Sequence, residues 1–150
     1  MTTSSSRRLR ILWVDDDGPD RFMFERYFLN DECNATVDFA VTVNAARRKL
    51  LNFAYDLVIL DNYLPADDPL GGSFENGIKF LVEIREELLG SDRGWPNVDS
   101  IPIVMCSALC DEELQHILDM YGVQTLRKPI DTNALKEFVM RIKAREGREE

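Results

Sequence analysis

The sequence predicts a doubly wound α/β sandwich, a five-stranded parallel sheet with helices on both faces. Two observations lead there. Short, continuous apolar runs alternate five times with stretches whose apolar residues recur at helical spacing. The runs are apolar at nearly every position rather than every second one, so each strand needs cover above and below, as in a parallel sheet whose crossover helices lie on both faces.

The elements follow in order. Leu9 to Val14 reads as a buried strand, and Pro19 to Asn30, with Phe24, Tyr27 and Phe28, as a helix. Ala35 to Phe39 is the second strand, followed by a helix with Val43, Ala46, Leu50 and Phe53 on one face. Leu57 to Leu60 is a wholly apolar third strand, and Gly77 to Leu89 is a helix with Ile78, Leu81, Ile84 and Leu88 inward. Ile101 to Met105 is the fourth strand, and Leu114, Ile117, Leu118 and Tyr121 stripe the next helix. Val123 to Leu126 is the fifth strand, before a last helix with Leu135, Phe138, Val139 and Ile142 inward. Pro65 to Asn76 and Gly90 to Ser100 carry the Gly, Pro, Asp and Asn of irregular surface loops. Residues 1–8 and 147–150 read as tails around one domain over 9–146.

Composition narrows the function. A chain of 150 residues suits one domain. A net charge of −9 argues against a nucleic-acid partner, because that affinity rests on Lys and Arg neutralising phosphates. Cys33, Cys106 and Cys110 form no CxxC pair and leave an odd count, so neither a disulfide framework nor a zinc site is indicated. A reducing, cytoplasmic setting is expected, and the opening MTTSSSRRLRILWVDDD has too few apolar positions for a signal or membrane span.

In an open α/β sheet the ligand crevice lies outside the carboxyl ends of the strands, so the residues that end each run are the ones to inspect. Strand one ends in Asp15, Asp16 and Asp17, strand three in Asp61, strand four in Ser107 and strand five in Lys128 before Pro129. Each has a plain structural alternative: DDD before Gly-Pro as a polar turn, Asp61 and Ser107 as helix caps, Lys-Pro as a strand exit. Together they would gather carboxylates, a hydroxyl and an ammonium in one cleft. Crowded carboxylates repel unless a cation offsets them, and Mg²⁺ binds through one or two carboxylates plus waters and phosphate oxygens. A carboxylate can attack phosphorus when a metal and a lysine neutralise the charge on the transferring group.

The series ILWVDDD, LVILD followed by Pro65, Gly77 opening a helix, IVMCSA and KP, in that order along nearly the whole chain, resembles the response-regulator receiver domain of the CheY-like superfamily, in its stand-alone single-domain form. The resemblance implies a flavodoxin-like (βα)5 fold with strand order 2-1-3-4-5. It implies Asp61 as phosphoacceptor, Asp16 as a direct ligand of Mg²⁺ (or Mn²⁺), Asp15 acting mainly through water, and the Tyr63 backbone carbonyl as the remaining protein ligand. Ser107 would hydrogen-bond the phosphoryl group and Lys128 would pair with it. The expected partners are a histidine kinase or histidine phosphotransfer protein and a downstream target protein, with no direct nucleic-acid contact, no membrane insertion and a monomer or weak dimer. The resemblance implies a chain that receives phosphate and can lose it by autodephosphorylation, and so is not expected to be a classical enzyme. Because AREGREE closes the sequence, output is expected to pass through a partner protein or through regions outside this sequence.

Two features depart from the family pattern. The position three before Lys128, where the family places an aromatic residue, is Thr125. Sixteen positions separate Asp61 from Gly77, about twice the family's usual spacing, and Asp67 and Asp68 within that loop are given no role. The only histidine, His116, is expected on an exposed helix face, and Cys106 as a small buried residue. Two rivals remain: a receiver fold that docks partners without taking phosphate, and a haloacid-dehalogenase-type phosphatase with Asp15 as nucleophile. The second wants Thr or Val where Gly18 and Pro19 stand and has no use for Asp61.

Overall fold

The computed structural model describes residues 8–15, 34–62, 64, 76–87, 101–107, 112–127 and 131–148. The helix expected over 19–30, most of both long loops, and both tails up to residue 7 and after residue 148 lie outside these. Five parallel strands form one sheet in the order β2-β1-β3-β4-β5, the order expected. They are β1 Leu9–Val14, β2 Ala35–Ala40, β3 Leu57–Asp61, β4 Ile103–Ser107 and β5 Gln124–Arg127. The described helices are α1 Val43–Asn52, α2 Asn76–Val82 running on as a π-helical turn over Glu83–Glu87, α3 Glu112–Met120 and α4 Thr132–Arg148. Among the described residues no helix is long and apolar enough to cross a membrane.

Strand alternation divides the core in two. Leu12, Val14, Val58, Leu60 and Met105 face α1, α2 and α3, where they meet Ala46, Leu50, Leu81, Ile84, Leu114 and Leu118. Ile11, Trp13, Leu57, Ile59, Val104 and Cys106 face the other way, onto Leu135, Phe138, Val139 and Ile142 of α4. These are the four residues expected inward on the last helix, which runs to Arg148, past the expected domain end at 146. β3 and β4 are buried at every position, as central strands of a doubly covered sheet must be, whereas β5 is an edge strand with only Leu126 half-buried.

Local chemistry sets the boundaries. Thr42 caps α1, its hydroxyl accepting from the Ala45 N–H at 3.1 Å. Helix α3 ends in a left-handed Gly122 (φ +67°), with the Gly122 N–H donating to the Asp119 carbonyl and the Val123 N–H to the Leu118 carbonyl, while Val123 and Leu118 share the core. That stop delays β5 to Gln124, one residue later than expected. β4 starts at Ile103, not Ile101, because Pro102 has no N–H for the ladder; its carbonyl accepts from the Val58 N–H at 3.0 Å.

Other inward assignments need correction. Phe53 lies past the end of α1, in extended backbone and 46 % exposed, where the Arg10 guanidinium covers its ring at 4.4 Å. On α2, Leu81 and Ile84 are buried as expected, but Phe80 is buried too while Ile78 is only half-buried; Leu88 lies outside the described residues. Ile117 and Tyr121 of the α3 stripe are half-buried, with Leu114 and Leu118 taking the core positions.

Candidate functional site

Among the described residues, four polar side chains are buried: Asp15, Asp61, Asn62 and Ser107, none more than 4 % exposed. All four stand at the carboxyl ends of β1, β3 and β4. The register explains their convergence. Val14 lies opposite Leu60, so Asp15 and Asp61 leave the sheet side by side one step later. Asp61 pairs with Cys106, and Ser107 pairs with Arg127, the residue before Lys128. The ladder runs one step past the strands, through the Asp15 N–H to the Ala40 carbonyl at 3.0 Å and the Asn62 N–H to the Cys106 carbonyl at 3.1 Å. The carboxylates are therefore held by paired backbone.

Of the residues expected at the site, the structure brings together Asp15, Asp61 and Ser107. Asp16, Tyr63 and Lys128 lie outside the described residues, as do Asp17, Asp67 and Asp68. Among the described residues no three of His, Cys, Asp and Glu gather as a metal-binding group. The buried groups that end these strands carry oxygens, two carboxylates and a hydroxyl, and the Asn62 amide oxygen, one residue past Asp61, is buried without a hydrogen-bond partner among the described residues. Adjacent strands lie about 4.8 Å apart, a spacing at which two buried carboxylates repel unless a cation offsets them. An all-oxygen set suits a hard cation such as Mg²⁺.

The helix beyond the site comes unusually close. The Gly77 N–H donates to the Asn62 carbonyl at 3.1 Å, as does the Leu64 N–H at 3.2 Å. A Cβ at position 77 would stand 2.2 Å from the Asp61 carbonyl oxygen and 2.6 Å from the Asn62 Cα. Only glycine lets α2 begin against the backbone that carries Asp61.

Sequence reasoning missed Asn62, because a polar residue just after a strand reads as a solvated turn. His116 is exposed and Cys106 fully buried, as expected, and Thr125 stands exposed on β5, opposite Met105. A cluster of charged and aromatic groups lies elsewhere, around β2. Asp38 on the edge strand β2 accepts from the Tyr55 hydroxyl at 2.8 Å and from Arg10 Nε at 3.3 Å. Burial, and then the hydrogen bond to Asp38, push the Tyr55 phenol above its ordinary range.

Comparison with known proteins bears on this arrangement. A family model for the response regulator receiver domain matches residues 11–140. Among solved structures, the receiver domain of a Francisella response regulator superposes with a TM-score of 0.71 at 21 % identity, over 93 % of this chain and 99 % of that one. A CheY-like receiver domain protein from Methanospirillum hungatei gives 0.70 at 21 % identity, over 96 % and 100 %. The receiver domain of a sensor histidine kinase from Pseudomonas aeruginosa, described with a magnesium ion coordinated in its active-site cleft, gives 0.68 at 20 % identity, over 92 % and 99 %. A search of curated proteins found no match. The structural likenesses establish the fold, and the match over most of the length establishes the family: this chain belongs to the response regulator receiver domain family.

Proposed function

We propose that this chain is the receiver of a two-component phosphorelay that takes a phosphoryl group onto Asp61 beside Mg²⁺ (or Mn²⁺) and signals by protein–protein contact. The observation that carries this reading is the confinement of the described buried polar residues to the carboxyl ends of β1, β3 and β4. A core that tolerates polar side chains at one end only has that end set aside for chemistry.

An Asp61 carboxylate oxygen attacks the phosphorus of a phosphohistidine on a histidine kinase or phosphotransfer protein. The P–N bond breaks, the departing imidazole nitrogen takes a proton, and Asp61 becomes an acyl phosphate. Asp15, Asp16, Asp61 and the Tyr63 carbonyl are the residues that would hold the cation; when bound, it neutralises charge on the transferring oxygens. Ser107 donates its hydroxyl to a phosphoryl oxygen and Lys128 pairs with another. The added charge, close to −2, draws on Ser107 and so shifts the connection between β4 and α3. The magnesium ion in the Pseudomonas aeruginosa receiver supports the same cation here. Buried Cys106 accords with a reducing, cytoplasmic setting, and the receiver domain is taken to span residues 9–146.

The readout differs from the family pattern. Exposed Thr125 offers no ring to rotate inward, so the state of Asp61 is read by the downstream target through other groups. The deciding experiment treats the purified protein with acetyl phosphate and Mg²⁺ and follows its intact mass. The wild type is expected to gain one phosphoryl group, lost in Asp61→Asn. Retained modification in Asp61→Asn would overturn the assignment of Asp61.

A further inference from the structure

Asn62 is the one described buried polar residue at this end of the sheet to which the phosphoacceptor reading gives no task. It is 3 % exposed, and its amide oxygen Oδ1 has no hydrogen-bond partner among the described residues. Its backbone is committed on every side. The N–H donates to the Cys106 carbonyl at 3.1 Å, and the carbonyl accepts from the N–H groups of Leu64 at 3.2 Å and Gly77 at 3.1 Å. β4, the start of α2 and the chain just past β3 therefore fix its Cα immediately beside Asp61.

A buried acceptor without a donor weakens a fold, and native structures hold few of them. Leucine has the same branched outline as asparagine and would fill this place without that penalty. An amide kept here makes physical sense if a donor arrives when the site is loaded. This argument rests on the phosphoacceptor reading, in which the arrivals at this end of the sheet are a hydrated cation and a phosphoryl group. We propose that Asn62 is a positioning residue whose Oδ1 accepts a hydrogen bond from an O–H or N–H donor that loading of the site supplies. The donor is either a water of the cation's shell or a group drawn inward by the phosphoryl oxygens. Loading then satisfies an atom that has no donor among the described residues, and the affinity of the site includes that gain.

The test uses the full chain as wild type, Asn62→Leu and Asn62→Ala. Urea unfolding without metal measures the empty state. Calorimetric titration with Mg²⁺ alone, and with beryllofluoride in saturating Mg²⁺, measures loading. Asn62→Leu is expected to be at least as stable as wild type without metal yet to bind about fivefold more weakly, the equivalent of one hydrogen bond of about 1 kcal/mol. A loss seen with Mg²⁺ alone assigns the donor to the cation's waters. A loss confined to beryllofluoride assigns it to a group drawn in by the phosphoryl. Wild-type affinity in both titrations overturns the proposal, as does an Asn62→Leu protein that is less stable without metal but loads normally. If leucine prevents folding, Asn62→Ala decides, with the same loss expected. A wild-type protein that responds to neither ligand would overturn the phosphoacceptor reading itself.

Discussion

Replacing Gly77 by alanine should destabilise this protein for a steric reason and not a conformational one. The new Cβ would sit 2.2 Å from the Asp61 carbonyl oxygen, 2.6 Å from the Asn62 Cα and 3.0 Å from the Asp61 carbonyl carbon. All three are backbone atoms of a paired central strand, so no side chain can rotate away. Ordinary carbon–oxygen contact needs about 1 Å more than this, so α2 must lift away from β3. Lifting stretches the Gly77–Asn62 hydrogen bond and loosens Phe80, Leu81 and Ile84 in the core. Overpacking of this kind costs about 1–3 kcal/mol, and a lost backbone hydrogen bond about 1 kcal/mol more. Alanine's better helix propensity returns up to about 1 kcal/mol. The net expectation for Gly77→Ala is a loss of about 2–3 kcal/mol in urea unfolding. Gly122 is the internal control, because nothing lies within 4 Å of a Cβ there but its φ is +67°. Gly122→Ala should cost only the left-handed backbone penalty, about 1 kcal/mol. A Gly77→Ala protein within about 0.5 kcal/mol of wild type, or less affected than Gly122→Ala, would refute the close approach of α2 to Asp61.

Two further predictions concern the scaffold around β1, β2 and α1. The folded Tyr55 phenol holds its proton more tightly than an ordinary tyrosine, whose value is 10.0, so its contribution to stability is present below about pH 10 and fades as pH rises beyond it. Urea midpoints from pH 8 to 11.5 should therefore fall more steeply for wild type than for Tyr55→Phe, and parallel curves would count against the burial of the phenol and its bond to Asp38. Arg47 and Glu83 meet through two contacts, at 2.5 and 2.8 Å, with side chains 34 % and 19 % exposed. A double-mutant cycle with Arg47→Ala and Glu83→Ala should give a coupling of about 0.5–1 kcal/mol that shrinks in 1 M salt; additive effects would mean the pair contributes nothing.

Much of this was legible in the sequence. Leu57 to Leu60 had to be a doubly covered strand because every position is apolar, and the polar residue that ends such a run had to emerge at the sheet edge, which is how Asp15, Asp61 and Ser107 could be named. The four inward residues of α4 were legible because a regular helix repeats its face. Phe53 was not, because helical spacing cannot tell where a helix stops, and the chain turns extended at that residue. Nor was the exchange of Ile78 for Phe80, since how much of a helix is buried depends on how closely it approaches the sheet, and Gly77 sets that distance.

The sequence by itself determined which residues could do chemistry and in what order the chain meets them, because strand period and apolar continuity are local properties. Only the tertiary structure decided which strand ends are neighbours, since pairing β1 with β3 sets Asp15 beside Asp61 across a gap of many residues. It also decided that Asn62 is buried. That depends on the start of α2 closing over the end of β3, a contact between distant segments that no local pattern encodes.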